Sequence, residues 1–151
     1  MWRRTLIRYL LVSAGLNLAW ETAQLPLYTI GQTGTRAELA FAVLHCTGGD
    51  VLIALAAVTL ALAVAGSDAW PAAHYLRVAA VATAIGLGYT LYSEWLNTEI
   101  RQSWAYAPAM PRLPWLGTGL SPVLQWLILP PLGFWWARRA HRYEKSGGPV
   151  S

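Results

Sequence analysis

What most limits how this chain can fold is the presence of carboxylates inside long apolar runs. The stretch "VAAVATAIGLG" passes without a break into "YTLYSEWLNTEI", which puts Glu94 at the end of a segment suited to lipid. A helix needs roughly 20 mainly apolar residues to cross a bilayer. Four segments answer that description, at residues 6–28, 39–65, 76–97 and 122–137. Only 12% of the chain is charged, against roughly 25% in ordinary soluble domains. The fold expected is therefore an all-α integral membrane protein, a four-transmembrane-helix bundle. The fourth span is short and contains Pro130 and Pro131, so a kink is expected there, with neighbouring helices taking up the freed carbonyls.

The basic residues give the orientation. With the N-terminus inside, Arg3, Arg4, Arg8, Arg77, Arg138, Arg139, Arg142 and Lys145 fall on the inner side and Arg36, Arg101 and Arg112 on the outer side. Positive charge gathers on the cytoplasmic face of membrane proteins, so both termini are expected there, in a bacterial inner membrane. The same placement accounts for the net charge of +4 without nucleic acid. The start of the chain has the basic-then-apolar order of a signal peptide but no clear small-residue cleavage site, and it reads as a retained first span. One four-helix domain is expected over 1–140, then a polar cytoplasmic tail over 141–151. A lone cysteine, Cys46, allows no internal disulfide. The connection at 98–121 is rich in aromatic residues and proline. It is longer than the roughly 2 to 8 residues usual between bundle helices and is expected on the outer side.

Polar residues inside the spans follow the helical repeat. Ser13, Asn17, Glu21, Gln24 and Tyr28 are spaced to lie on one face of the first span. Gly86, Thr90, Glu94, Asn97 and Arg101 do the same on the third. The second span carries "HCTGGD", where Cys46 and Asp50 share a face, His45 is turned about 100° away, and Gly48 and Gly49 permit close approach of a helix or ligand. Gln125 enters with the fourth span. Counted at about 1.5 Å of rise per residue, Glu21 and Asp50 fall near the midplane, and His45, Glu94, Asn97 and Gln125 in the outer half. A polar chamber roofed by the 98–121 loop is expected there.

Each of these residues has a plain reading beside a functional one. A charge at the centre of a membrane helix costs about 2.5 to 3.5 kcal/mol on insertion scales, so such residues are functional by default. Asp50 is short and cannot reach water, which makes it the strongest of the acids. Glu21 serves either in binding or proton transfer, or as a hydrogen-bond partner of Asn97, Thr90 or Gln125. Glu94 lies close enough to the surface to be solvated or paired with Arg101. His45 has the titration range for acid–base chemistry and also suits a simple polar contact. Cys46 is expected to act as a small buried hydrophobe. Trp2, Trp70, Trp135 and Trp136 sit where interfacial anchors belong. Trp20 and Trp95 adjoin intramembrane glutamates and either wall the chamber or face lipid.

Three functions fit this layout. The first is a membrane enzyme acting on a lipid or other hydrophobic substrate, with Glu21, His45, Asp50 and Glu94 as acid and base groups. Asn17, Trp20, Gln24, Trp95, Asn97, Arg101 and Gln125 would contact the substrate. The second is a binding or transport protein for a cation or an amphipathic small molecule. The third is an assembly subunit whose polar residues glue helices together and whose alanine-rich second span joins another copy or another chain. His45 with the three acids is also a donor set for a divalent metal, although the spacing matches no established metal motif. The apolar inner halves and the lack of a visible internal repeat argue against a monomeric carrier.

Overall fold

A computed structural model describes the backbone from Trp2 to Ser146 and the side chains as far as Arg139. Of the tail expected over 141–151, residues 147–151 lie outside the described residues, and the backbone of 141–146 continues the last helix. Helix is the only regular structure among the described residues, apart from two isolated β-bridges. Four long helices dominate: α1 (Trp2–Gln24), α3 (Arg36–Ala65), α4 (Tyr75–Trp95) and α5 (Leu120–Ser146). A four-residue helix, α2 (Ile30–Thr33), lies in the first connection. By length and composition, α3 alone among the described residues passes as a membrane span. The polar and charged residues carried by α1, α4 and α5 dilute their apolar character.

Local sequence sets the helix ends. Pro26 tightens the chain into a 3-10 turn at Leu25–Leu27, so α1 stops at Gln24 and Tyr28 stands beyond the helix in extended backbone. A capping box starts α3. The backbone N–H of Thr35 donates to Glu38 Oε2 at 2.8 Å, and Glu38 N–H donates to Thr35 Oγ1 at 3.4 Å. At its far end, α4 passes into a π turn at Leu96–Ile100, closed by Arg101 N–H on Leu96 C=O at 2.8 Å. Pro130 and Pro131 lie inside α5, and the helix is assigned through both.

Helices α1 and α4 each pack against both α3 and α5, so they occupy opposite corners of the bundle. At one end the core is apolar: Ala54, Ala57, Val58 and Ala61 of α3 meet Val78 and Ala82 of α4. Ala54, Ala57, Ala61 and Ala65 of α3 are thus turned inward, and Ala56, Ala63, Leu52, Leu55, Leu60 and Val64 point out. Nearby, Tyr9 stacks on Phe134 with ring centres 4.1 Å apart, and Tyr75 donates its hydroxyl to the Phe134 carbonyl at 2.6 Å. Trp70, expected as an interfacial anchor, is buried and stacked on Tyr75 instead. Trp2, Trp135 and Trp136 are exposed.

The exterior is apolar where a soluble bundle would be polar. On α1 the buried residues are Thr5, Tyr9, Ser13, Asn17, Glu21 and Gln24, while Ile7, Leu11 and Leu18 face outward. Such an inverted helix places its oily side toward its surroundings.

The loops at the other end form a cap. Thr29 N–H donates to Ala105 C=O at 3.0 Å, and Ala107 N–H donates to Leu27 C=O at 2.9 Å. These bonds tie the 98–121 loop to the first connection, and Tyr106, Ala107, Met110 and Thr118 are buried within it. A Cβ on Gly119 would stand 2.9 Å from the Tyr106 ring, so glycine lets the loop close on that tyrosine.

Candidate functional site

Three helices meet at one side-chain amide. Gln125 Nε2, on α5, lies 2.8 Å from Asn17 Oδ1 and 2.9 Å from Glu21 Oε1, both on α1, and 2.8 Å from Asp50 Oδ2 on α3. Gln24 Nε2 donates to the same Glu21 oxygen at 2.8 Å. The Gln24 carbonyl accepts from Ser121 Oγ at 2.7 Å, and Ser121 in turn accepts from the Trp20 indole at 3.2 Å. An amide nitrogen carries two hydrogens, yet this one meets three acceptors. Its two hydrogens are thus shared among three acceptors. Glu21 of α1 and Asp50 of α3 therefore share one donor from α5.

Glu94 forms a second centre on α4. Tyr106 donates its hydroxyl to Glu94 Oε2, and Tyr28 donates to the same oxygen at 3.4 Å. The indole N–H of Trp104 faces this carboxylate but has no hydrogen-bond partner. Burial first, and then the adjacent Glu94 charge, push the Tyr106 phenol above its ordinary value. It therefore stays a neutral donor through the physiological range, while the Arg112 guanidinium sits 5.0 Å over its ring.

A cavity of about 720 Å³ joins the two centres. Glu21, Asp50, Gln125 and Trp126 line its buried side, Ser103 and Trp104 of the loop line another part, and Phe41, His45 and Tyr89 form an exposed rim. Gly49 lines it too, and a Cβ there would meet nothing within 4 Å. Toward the apolar end the cavity meets Trp126, whose ring crosses Gly86: a Cβ on that glycine would lie 2.0 Å from Trp126 Cζ3. Only glycine on α4 admits the indole.

Of the residues singled out in the sequence, Asn17, Glu21, Gln24, Asp50 and Gln125 join one network, and Glu94 stands across the cavity from it. Trp20 touches the network only through Ser121. Glu94 is not the solvated surface acid expected of it: it is 7% exposed and bonded to tyrosines rather than to Arg101. His45 keeps to the rim, stacked on Phe41 with ring centres 5.4 Å apart. Trp95 is 47% exposed and does not line the cavity. Asn97 folds back to donate to Ser93 C=O at 2.8 Å, and Arg101 is exposed. The π turn explains both residues. An i→i+5 turn takes up more residues per revolution than the α repeat, so the stripe counted through Asn97 and Arg101 leaves the interior after Glu94.

Among the described residues, no three His, Cys, Asp or Glu side chains are grouped as metal ligands. The four-residue donor set weighed from the sequence does not gather around one point.

Sequence reasoning did not select Tyr28, Thr90, Trp104, Tyr106 or Trp126 for the site. Tyr28 and Thr90 stood in the polar stripes, and Trp126 follows Gln125 directly. Trp104 and Tyr106 had no helical period to betray them, only membership of an aromatic loop on the same side. No protein-family model, curated protein or solved structure matches the chain.

Proposed function

We propose that the chain is a four-span protein of a bacterial inner membrane, with both termini cytoplasmic, that performs acid–base chemistry on a lipid or other hydrophobic molecule. The observation that carries the reading is the meeting of Glu21 and Asp50 on the Gln125 amide, on the inner side of a cavity with Phe41 and Tyr89 at its rim. One acid holding a proton beside another that lacks it forms a donor–acceptor pair, and a water-poor site keeps the two roles distinct. Outward leucines on all four long helices support the membrane placement. Arginines at the start of α1 and α4 and late in α5 support the orientation.

A second reading, in which the chamber holds a ligand without altering it, is supported by His45. That imidazole stacks on Phe41 at the rim, which leaves the acids without a histidine beside them.

The test is purification in mild detergent followed by mass spectrometry of the hydrophobic extract, for wild type, Glu21→Gln, Asp50→Asn and His45→Ala. On the enzyme reading, wild type carries product, and the two acid variants carry unaltered substrate. Identical compounds in all samples favour holding without chemistry. Extracts free of any bound compound, with variants that lose only stability, would sink both. A tag in the 98–121 loop is expected to react with an impermeant reagent from outside the cell; reaction from the cytoplasmic side alone overturns the orientation.

A further inference from the structure

The cavity has two edges of different character. One is the cap, where the first connection and the 98–121 loop are joined by the Thr29–Ala105 and Leu27–Ala107 backbone bonds. Tyr28 and Tyr106 stand together beneath them, with ring centres 5.5 Å apart, and both donate to Glu94. The polar members of the rim belong to this edge. Thr33 and Ser103 lie in the connections, and Glu38 is held by Thr35 at the start of α3.

The other edge lies between α3 and α4. Phe41 and His45 on one helix and Tyr89 on the other line the cavity and are exposed. Between them the helices carry little bulk: a Cβ on Gly48 or Gly49 of α3, or on Gly88 of α4, would meet nothing within 4 Å. Toward the inner end the same helices close through Ala54, Val58, Val78 and Ala82. The gap is therefore confined to the outer half.

Depth gives this gap its meaning. Helix α3 has 30 residues, about 45 Å of rise against a hydrocarbon layer of about 30 Å. Centred in that layer, it overshoots by about five residues at each end, which puts Phe41 at the boundary and His45 within it. Tyr89 lies six residues before the end of α4, at about 9 Å of rise. Leu44 and Tyr92, on the outer surface beside the gap, are 65% and 55% exposed. Behind it Leu25, Ile30, Ala42, Ile53 and Trp126 give the cavity apolar walls.

We propose that the cavity takes an acyl chain of a bilayer lipid, and takes it sideways, through the gap between the outer halves of α3 and α4. This rests on the reading of the chain as a membrane protein that holds a hydrophobic molecule, and it adds the class of molecule and its route. A chain entering here moves from hydrocarbon to apolar walls without crossing water, whereas the cap edge leads to water past polar side chains. The cavity volume of about 720 Å³ falls within the roughly 300 to 1,000 Å³ usual for small-molecule sites.

Cys46, the one cysteine, lines the cavity and reports which edge is used. The full chain is placed in lipid nanodiscs, where both faces meet water, and treated with dodecyl or trimethylammonium-ethyl methanethiosulfonate. Reference sites in a Cys46→Ala background are Leu52→Cys, outward on α3 and 68% exposed, and Trp115→Cys, fully exposed in the loop. The dodecyl reagent should modify Cys46 at a rate comparable with Leu52→Cys. The charged reagent should modify it about a hundredfold more slowly than Trp115→Cys, as a charge crossing hydrocarbon requires. Gly49→Leu places bulk in the gap and favours helix; it should slow the dodecyl reagent severalfold while methyl methanethiosulfonate still reacts.

Cys46 modified by the charged reagent as fast as Trp115→Cys overturns the sideways route and leaves the hydrophobic-molecule reading standing. Unchanged dodecyl labelling in a folded Gly49→Leu also overturns the route. If neither reagent reaches Cys46 while both reference sites react, the cavity is closed to lipid and the hydrophobic-molecule reading falls with the route. Rapid modification of Leu52→Cys by the charged reagent removes the membrane placement itself. Should Gly49→Leu fail to fold, the two reagents on the wild-type chain decide alone.

Discussion

Where Val78 and Ala82 of α4 meet Ala54, Val58 and Ala61 of α3, the two helices touch through small apolar side chains. Around Gly49 and Thr90 the same two helices line an open cavity instead. One end is held by shape and the other by hydrogen bonds. In lipid the transfer of apolar groups supplies little, because the surroundings are as oily as the core. On the proposed membrane placement, the dry end relies on close packing, and the wet end on polar groups that find no substitute partner in hydrocarbon.

Truncation at the dry end should produce the largest loss of stability. Phe134→Ala removes the ring stacked on Tyr9. It should cost about 2 to 3 kcal/mol in reversible unfolding, below the roughly 3 to 5 kcal/mol of water-soluble cores, because on the proposed membrane placement only the packing part survives. Unaltered stability would break the contrast between the ends. Next comes Gln125→Leu, which leaves Asn17, Glu21 and Asp50 without their shared donor. A cost of about 1 to 3 kcal/mol is expected for unsatisfied buried acceptors, with loss of whatever ligand co-purifies.

Tyr106→Phe should sharpen the comparison further. Removal of one donor to Glu94 is worth about 1 kcal/mol, and protease should cut the 98–121 loop sooner with little change in the global melting point. Arg101→Ala should do least, within about 0.5 kcal/mol as for exposed positions, and should leave ligand retention intact. A large effect there would return Arg101 to the site.

The sequence made α1 legible because one helical period runs without interruption from Thr5 to Gln24, and the buried face follows it. The meeting of Glu21, Asp50 and Gln125 was foreseeable for the same reason: each lies deep within a regular helix. Asn97 and Arg101 were misplaced because nothing in "LNTEI" announces a change of pitch. The shielding of Glu94 was hidden for another reason. Depth along a helix measures distance from an end, whereas solvent access depends on what folds over that end. Here Tyr28 and Tyr106 come from separate connections, and no local pattern pairs them. The inward turn of the α3 alanines could not be told from an outward one, since a stripe of small residues fits either neighbour.

On the proposed membrane placement, the crossing of Trp126 over Gly86 also bears on electrical insulation. A bundle that admits polar groups from one face of a membrane risks becoming a leak. If ions can follow the acids inward, the indole lodged against α4 is where they stop, and the apolar packing beyond it is left as the barrier.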